Sequence, residues 1–193
     1  MMETKTKSHT YMLAMVAVMT AVTCVLAPMS IAIGAVPITL TNLVVYFSLY
    51  LLGWKQGSLS VLVYILIGMV GLPVFSGFSG GLGKLAGPTG GYILGFLVMA
   101  VIAGWVIDHT RSRVLHLGGM ILGTAVCYAL GTAWYCFLTH NPVQAALWTC
   151  VIPFIPFDLG KMAAAMVVGP MLRGRLVRAG LLEQETVARH GAV

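Results

Sequence analysis

Charge is what this sequence lacks. Of 193 residues, eleven are Lys or Arg and five are Asp or Glu, so 8% carry a formal charge, where a soluble domain carries roughly 25%. With 59% apolar residues and a mean hydropathy of +0.96, too few polar groups remain to cover a surface in water. The composition excludes a soluble enzyme, a disordered tail and a disulfide scaffold, and it points to an integral membrane protein. Catalytic constellations are absent too. There is no G-x-S-x-G, no H-E-x-x-H and no pair of histidines at ligand spacing within one helix, and His9, His109, His116, His140 and His190 fall in tails, loops or span ends. Cys24, Cys127, Cys136 and Cys150 form no C-x-x-C pair and lie in apolar segments, so they read as small buried hydrophobes rather than metal ligands. Phe78 and Leu85 stand where a Walker A loop around Gly83-Lys84 needs Gly and Ser or Thr. Gly81-x-Gly83-x-x-Ala86 lacks the preceding strand of a dinucleotide site. No cofactor, metal or nucleic acid is expected, and the net charge of +6 reads as a topology signal.

What is there is a series of apolar segments, at about Tyr11–Ile33, Thr41–Gly53, Gly57–Leu72, Tyr92–Ile107, Leu115–Leu138 and Ala145–Leu172. A hydrocarbon core of ~30 Å takes about 20 helical residues to cross. The second and third segments are short; they either tilt little or join as a compact pair around Gly53-Trp54-Lys55-Gln56-Gly57. The fold expected is all-α: one membrane domain of six transmembrane helices over residues 1–180, with a polar tail over 181–193. The first segment reads as a retained span, since it is long and lacks a clear A-x-A site. Six spans place both termini on one side, together with Lys5, Lys7, Lys55, Arg111, Arg113, Arg173, Arg175, Arg178 and Arg189. Only Lys84 falls opposite, so that basic side, with both termini, is expected to be cytoplasmic. No internal repeat of the kind found in inverted-repeat carriers is visible.

Sorting the acids isolates one of them. Glu3, Glu183 and Glu185 lie in the tails and Asp108 ends the fourth span beside His109 and Arg111; Asp158 alone is inside a span. A lone carboxylate there costs ~2.5–3.5 kcal/mol on insertion scales. Lys161, three residues on, shares its helix face and can pair with it. Pro153 and Pro156 break the helix beforehand, and a fresh start near Phe157 puts Asp158 in a first turn, where exposed N–H groups favour a carboxylate. An intramembrane charge is by default part of a ligand or ion pathway; the competing reading is an ion pair that only fixes packing.

Three further stretches are unusual. The connection from Gly71 to Tyr92 is rich in glycine; it is either a flexible outer loop or, since Phe75, Phe78 and Tyr92 are apolar enough, a lid over a pocket. The uncharged run from Pro28 to Thr41 either dips into the membrane to line a cavity or is a plain turn. Ala17 and Ala21 lie four apart in the first span, a flat strip against which another membrane helix can pack, within the chain or from a partner.

These features together resemble the BioY family, the biotin-specific substrate-binding (S) components of energy-coupling factor transporters. The matching residues are Val36-Pro37-Ile38-Thr39-Leu40, Leu72-Pro73-Val74-Phe75, Gly80-Gly81, Gly87-Pro88-Thr89-Gly90-Gly91-Tyr92, and Pro153-Phe154 with Asp158 and Lys161. The resemblance implies a transport subunit in the cell membrane and no enzyme: it captures biotin on the outer side and delivers it to the cytoplasm. The partners implied are a transmembrane T component, docked on Ala17 and Ala21, and two ATPase subunits. Asp158 would accept the ureido N–H groups of biotin and Lys161 would donate to the ureido oxygen. A polar side chain from the Gly-rich loop, for which Ser79 is the nearest candidate, would add a contact, with Tyr92 and Thr39 as further substrate-binding candidates. The competing functions are a proton-coupled or stand-alone carrier for biotin or another small vitamin, a membrane-embedded enzyme, and a structural subunit. The last leaves the cost of Asp158 and Lys161 unexplained.

Overall fold

The structure is a computed structural model and describes residues 2–33 and 36–182. The polar tail at 183–193 lies outside the described residues. The elements run α1 (Met2–Leu26), β1 (Ser30–Ile33), β2 (Val36–Thr39), α2 (Thr41–Met69), α3 (Leu82–Ala86), α4 (Gly90–His109), α5 (Arg113–Thr139), α6 (Val143–Cys150) and α7 (Ile155–Arg178). A single 3-10 turn, Ile152–Phe154, joins the last two.

The helical character expected from composition is what forms. The segments Thr41–Met69, Gly90–His109, Arg113–Thr139 and Val143–Arg178 are long and apolar enough to cross a membrane, and Thr10–Leu26 is a shorter apolar helix. Their outer faces carry large apolar side chains, among them Leu62, Leu66, Trp105, Leu122, Phe137, Val167 and Met171. Such a belt suits lipid and would be unstable in water.

The first segment ends earlier than its apolarity suggests. Helix α1 stops at Leu26, before Pro28, and residues 30–33 pair instead with 36–39 as an antiparallel hairpin, Ser30 opposite Thr39 and Ile33 opposite Val36. Pro28 has no N–H to continue the helix. The β-branched Val36 and Ile38 are buried, while Pro37 and Thr39 are half-buried, an alternation that suits a strand.

Helix α2 contains the turn anticipated between two short spans. Gly53 has φ 78° and ψ 176°, outside helical geometry, and only glycine adopts this without strain. A Cβ on Gly57 would lie 3.2 Å from the Cα of Leu49. Residues eight apart in one straight helix are about 12 Å apart, so the two halves fold back on each other. The break frees the N–H of Trp54, which donates to Asp108 Oδ2 at 2.8 Å. Asp108, at the end of α4, therefore caps the second half of α2.

Helices α4 and α5 form the most extensive helix pairing. They run antiparallel, with Gly91 against Trp134, Gly95 against Cys127, Gly123 against Met99 and Gly119 against Val106. Small residues on both faces bring the backbones together; a Cβ on Gly95 would lie 2.8 Å from Cys127 Sγ. Helix α7 packs on α2, where Gly169 meets the ring of Tyr50 and Arg173 donates to the Tyr50 carbonyl at 3.2 Å.

Candidate functional site

The site grows from the interruption between α6 and α7. Val151 takes a non-helical conformation, Pro153 sits in the 3-10 turn, and Pro156 occupies the first turn of α7. Pro156 is tolerated there because the first-turn N–H groups have no intrahelical acceptor. This start places Asp158 in the first turn of α7, as the proline spacing predicts. Its side chain is buried and forms an ion pair with Lys161 at 2.9 Å.

The pair has further partners from other elements. The Lys161 ammonium donates to Asp158 Oδ1 at 2.9 Å, to the Thr39 main-chain carbonyl at 2.7 Å and to Asn42 Oδ1 at 3.0 Å. An ammonium has three donors, and all three are engaged. The Tyr128 hydroxyl donates to Asp158 Oδ2 at 2.5 Å. One ionic cluster thus ties β2, the start of α2, α5 and α7 together. A buried pair with every polar atom satisfied is tolerable where a lone charge is not.

The cluster forms one wall of a cavity of about 50 Å³. Val36 and Pro37 come from the hairpin, Tyr92, Phe96 and Met99 from α4, and Thr124 and Cys127 from α5; Cys150 and Phe154 close the end nearest the break. Behind it, Tyr46 and Thr124 share a hydrogen bond of 2.6 Å. A second cavity of about 40 Å³ adjoins the first. It shares Val36, Pro37, Thr39, Tyr92 and Phe96, and adds Thr41, Tyr64, Ser76, Thr89 and Ile93. The lining they share is mostly apolar; the charged cluster belongs to the first cavity, and Thr41, Ser76 and Thr89 to the second. An outer groove of about 440 Å³ between α5 and α6 is lined by alanines, Val143, Leu147 and Val151, with no charged residue.

Four of the candidate residues meet here. Asp158 and Lys161 form the cluster, and Tyr92 lines both cavities with its hydroxyl bonded to Thr132 at 3.0 Å. Thr39 contributes its carbonyl to Lys161, while its own hydroxyl accepts the N–H of Thr41 at 3.4 Å. Ser79 is placed differently. It lies in a tight turn bridged to Phe75, its hydroxyl donates to the Ser76 carbonyl at 2.8 Å, and it lines neither cavity; the loop serine that does is Ser76. Phe75 is no lid. It is fully buried against Tyr64, ring centroids 5.6 Å apart, and anchors the loop to α2. Phe78, with φ 54°, is exposed. Ala17 and Ala21 lie on the exposed face of α1, away from Val16, Met19 and Thr20, which pack inward.

Sequence reasoning missed Asn42 and Tyr128. Asn42 had a usable signal: an amide inside an apolar segment carries the same kind of desolvation cost that singled out Asp158. Tyr128 had none, because its role depends on how α5 is turned toward α7. No cluster of three or more metal-ligating side chains occurs among the described residues.

The BioY family model matches residues 2–178. The biotin transporter BioY of Thermotoga maritima is 38% identical over 156 residues, covering 81% of this chain and 92% of that protein. The probable biotin transporter BioY of Pyrococcus horikoshii is 40% identical over 161 residues, covering 83% and 94%. Among solved structures, the S-component for biotin from an ECF-type ABC transporter superposes with a TM-score of 0.74 at 29% identity, covering 89% of this chain and 93% of that one. With a family match across nearly its whole length and relatives of this identity, the chain belongs to the BioY family.

Proposed function

We propose that this chain is the high-affinity biotin-binding membrane subunit of a vitamin uptake transporter. It is a transport protein rather than an enzyme, as its BioY relatives are. The observation that carries the reading is the buried Asp158–Lys161 cluster on the wall of a cavity. Biotin presents a ureido ring with two N–H donors and one carbonyl, an apolar sulfur ring, and a valerate carboxylate. Asp158 accepts the ureido N–H groups, and Lys161 donates to the ureido oxygen. Charge-assisted bonds in a site screened from water are strong and directional. Tyr92, Phe96 and Val36 pack on the apolar ring.

The hydrogen-bond arithmetic adds a condition. All three Lys161 donors are engaged, so the ureido oxygen takes the place of one acceptor. The side-chain amide of Asn42 can rotate away; the Thr39 carbonyl is fixed in the hairpin. The hairpin also has to part from α7, since a bicyclic vitamin needs more room than about 50 Å³. Thr39 then serves as a latch through its carbonyl. Ser76 supplies the loop contact for which Ser79 stood as candidate.

In the bilayer, six helical passes arise from α1, the two halves of α2, α4, α5 and α7 with α6. Both termini and nine of the eleven basic residues face the cytoplasm of the cell, and the hairpin and Gly-rich loop face outward. Biotin is captured from outside and released inward with a transmembrane T component and two ATPase subunits. The exposed Ala17–Ala21 strip of α1 is the docking face for the T component.

Binding of radiolabelled biotin to the purified chain tests the reading. Saturable binding in the nanomolar range is expected. Absence of saturable binding tighter than micromolar contradicts it.

A further inference from the structure

We propose that the groove between α5 and α6 holds one acyl chain of a membrane lipid, and that this chain braces Tyr128 against Asp158. The lipid site stands on the groove itself; the bracing rests on the biotin reading.

The size of the groove selects its occupant. It encloses about 440 Å³ and runs along α5 from Ala125 to Cys136, a length of roughly 16 Å at the rise of an α-helix. Spread over that length, the volume is a channel about 6 Å wide, roughly half the diameter of a helix with its side chains. A helix of a partner or of a second copy is too thick to enter, whereas a single unbranched hydrocarbon chain fits. The length is also about half of a ~30 Å hydrocarbon core, the depth of one leaflet.

The chemistry of the groove agrees. Ala125, Ala129 and Ala133 leave the space, Val143 and Leu147 stand across from them, and all five are exposed. The two hydroxyls on the lining are engaged inside the protein, Thr132 with Tyr92 at 3.0 Å and Tyr128 with Asp158. No charged residue is present, so the lining offers an apolar surface to an apolar occupant. Phe137 and Trp148, each next in sequence to a lining residue, are largely exposed, as suits a surface that meets lipid. An empty groove in that setting forfeits the dispersion contacts of its walls.

Tyr128 links the groove to the site. It lines both the groove and the first cavity, and its hydroxyl donates to Asp158 Oδ2. A chain packed on the ring from the groove restricts its rotation away from the carboxylate.

Photolabelling of the full chain in phosphatidylcholine vesicles tests the site. The probe is a phosphatidylcholine with a diazirine midway along one chain. Adducts per residue at 125–136 and 143–147 should exceed those at the open lipid-facing residues Leu62, Leu66, Val167 and Met171 by at least about threefold. Ala129→Phe, which fills the groove, should remove that excess and leave labelling of the open surface unchanged; the milder Ala133→Leu should reduce it in part. Uniform labelling, or an excess that survives both substitutions, overturns the lipid site. A groove shielded from the probe in a dimeric protein assigns it to a second copy and overturns the lipid site as well. The bracing is read from biotin titrations in vesicles of straight-chain dioleoyl lipid and of methyl-branched diphytanoyl lipid, whose chains are too wide for the groove. Biotin should bind about threefold or more weakly in the branched lipid. Tyr128→Phe, which keeps the ring and cannot donate, should lose that dependence on lipid. Equal wild-type affinities in the two lipids, or an unchanged dependence in Tyr128→Phe, overturn the bracing. Absence of biotin binding in both lipids overturns the biotin reading and the bracing with it, while the labelling decides the lipid site separately.

Discussion

Two aspartates on the described helices show how the same side chain serves different ends. Asp108 closes α4 at one end of the molecule and gives an oxygen to the Trp54 main-chain N–H across the break at Gly53. Asp158 opens α7 on a cavity wall and is held by side chains, Lys161 and Tyr128. The first satisfies a backbone donor that folding itself orphaned and cannot release it without loosening α2. The second is bonded to groups on rotatable arms, beside open volume, so its partners can be exchanged for a ligand's. A charge can become a binding site where what satisfies it is replaceable and space lies next to it. The charge alone does not decide.

Lys161→Ala should produce the largest effect. It strands the Asp158 carboxylate in a buried wall, and truncating one member of such a pair costs about 3–5 kcal/mol. Biotin affinity should fall at least about 100-fold by calorimetry. Next, Ala17→Trp should cut biotin uptake by cells about tenfold or more, because a bulky ring on the flat strip keeps a partner helix away, while the binding constant of the purified chain stays unchanged. A loss of binding in that variant would mean that α1 supports the site itself. Asp108→Ala should cost about 1 kcal/mol of stability, the usual worth of a helix cap, read as a lower Tm in detergent, with biotin affinity within about twofold of wild type. Lys84→Ala should have the smallest effect on biotin, again within about twofold. Lys84 lies on the short helix α3, and its side chain lines neither cavity. A larger effect there would move the ligand's charged end to the loop.

Much of this contrast was legible from the residues. The scarcity of charge made Asp158 and Lys161 conspicuous, and Pro153 and Pro156 located the helix start that carries them. Thr39 and Tyr92 were within reach because they belong to motifs flanking the same cavity. What was not legible depends on contacts between distant segments. Asp108 reads as a charge at a span end beside His109 and Arg111, and nothing local indicates that Trp54, 54 residues earlier, brings it an orphan N–H. Ile31, Ala32 and Ile33 are apolar and so extend the first span to Ile33 by composition. Apolarity does not separate a strand from a helix in so short a run, and Pro28 decided the matter. Phe75 looked like a lid because large apolar residues in a glycine-rich loop suit that role. The backbone at Gly68, which leaves no room for a side chain beside the Phe75 ring, is what draws it into the core.

The proposed role gives Asp158 to the ligand and Asp108 to the fold. The most direct measurement is calorimetric titration of biotin into Asp158→Asn and Asp108→Asn alongside the wild type. Both substitutions keep the side-chain shape and remove one charge. The predicted result is a loss of at least about 100-fold for Asp158→Asn and a change within about twofold for Asp108→Asn. Equal losses in the two variants, or wild-type affinity in Asp158→Asn, would contradict it.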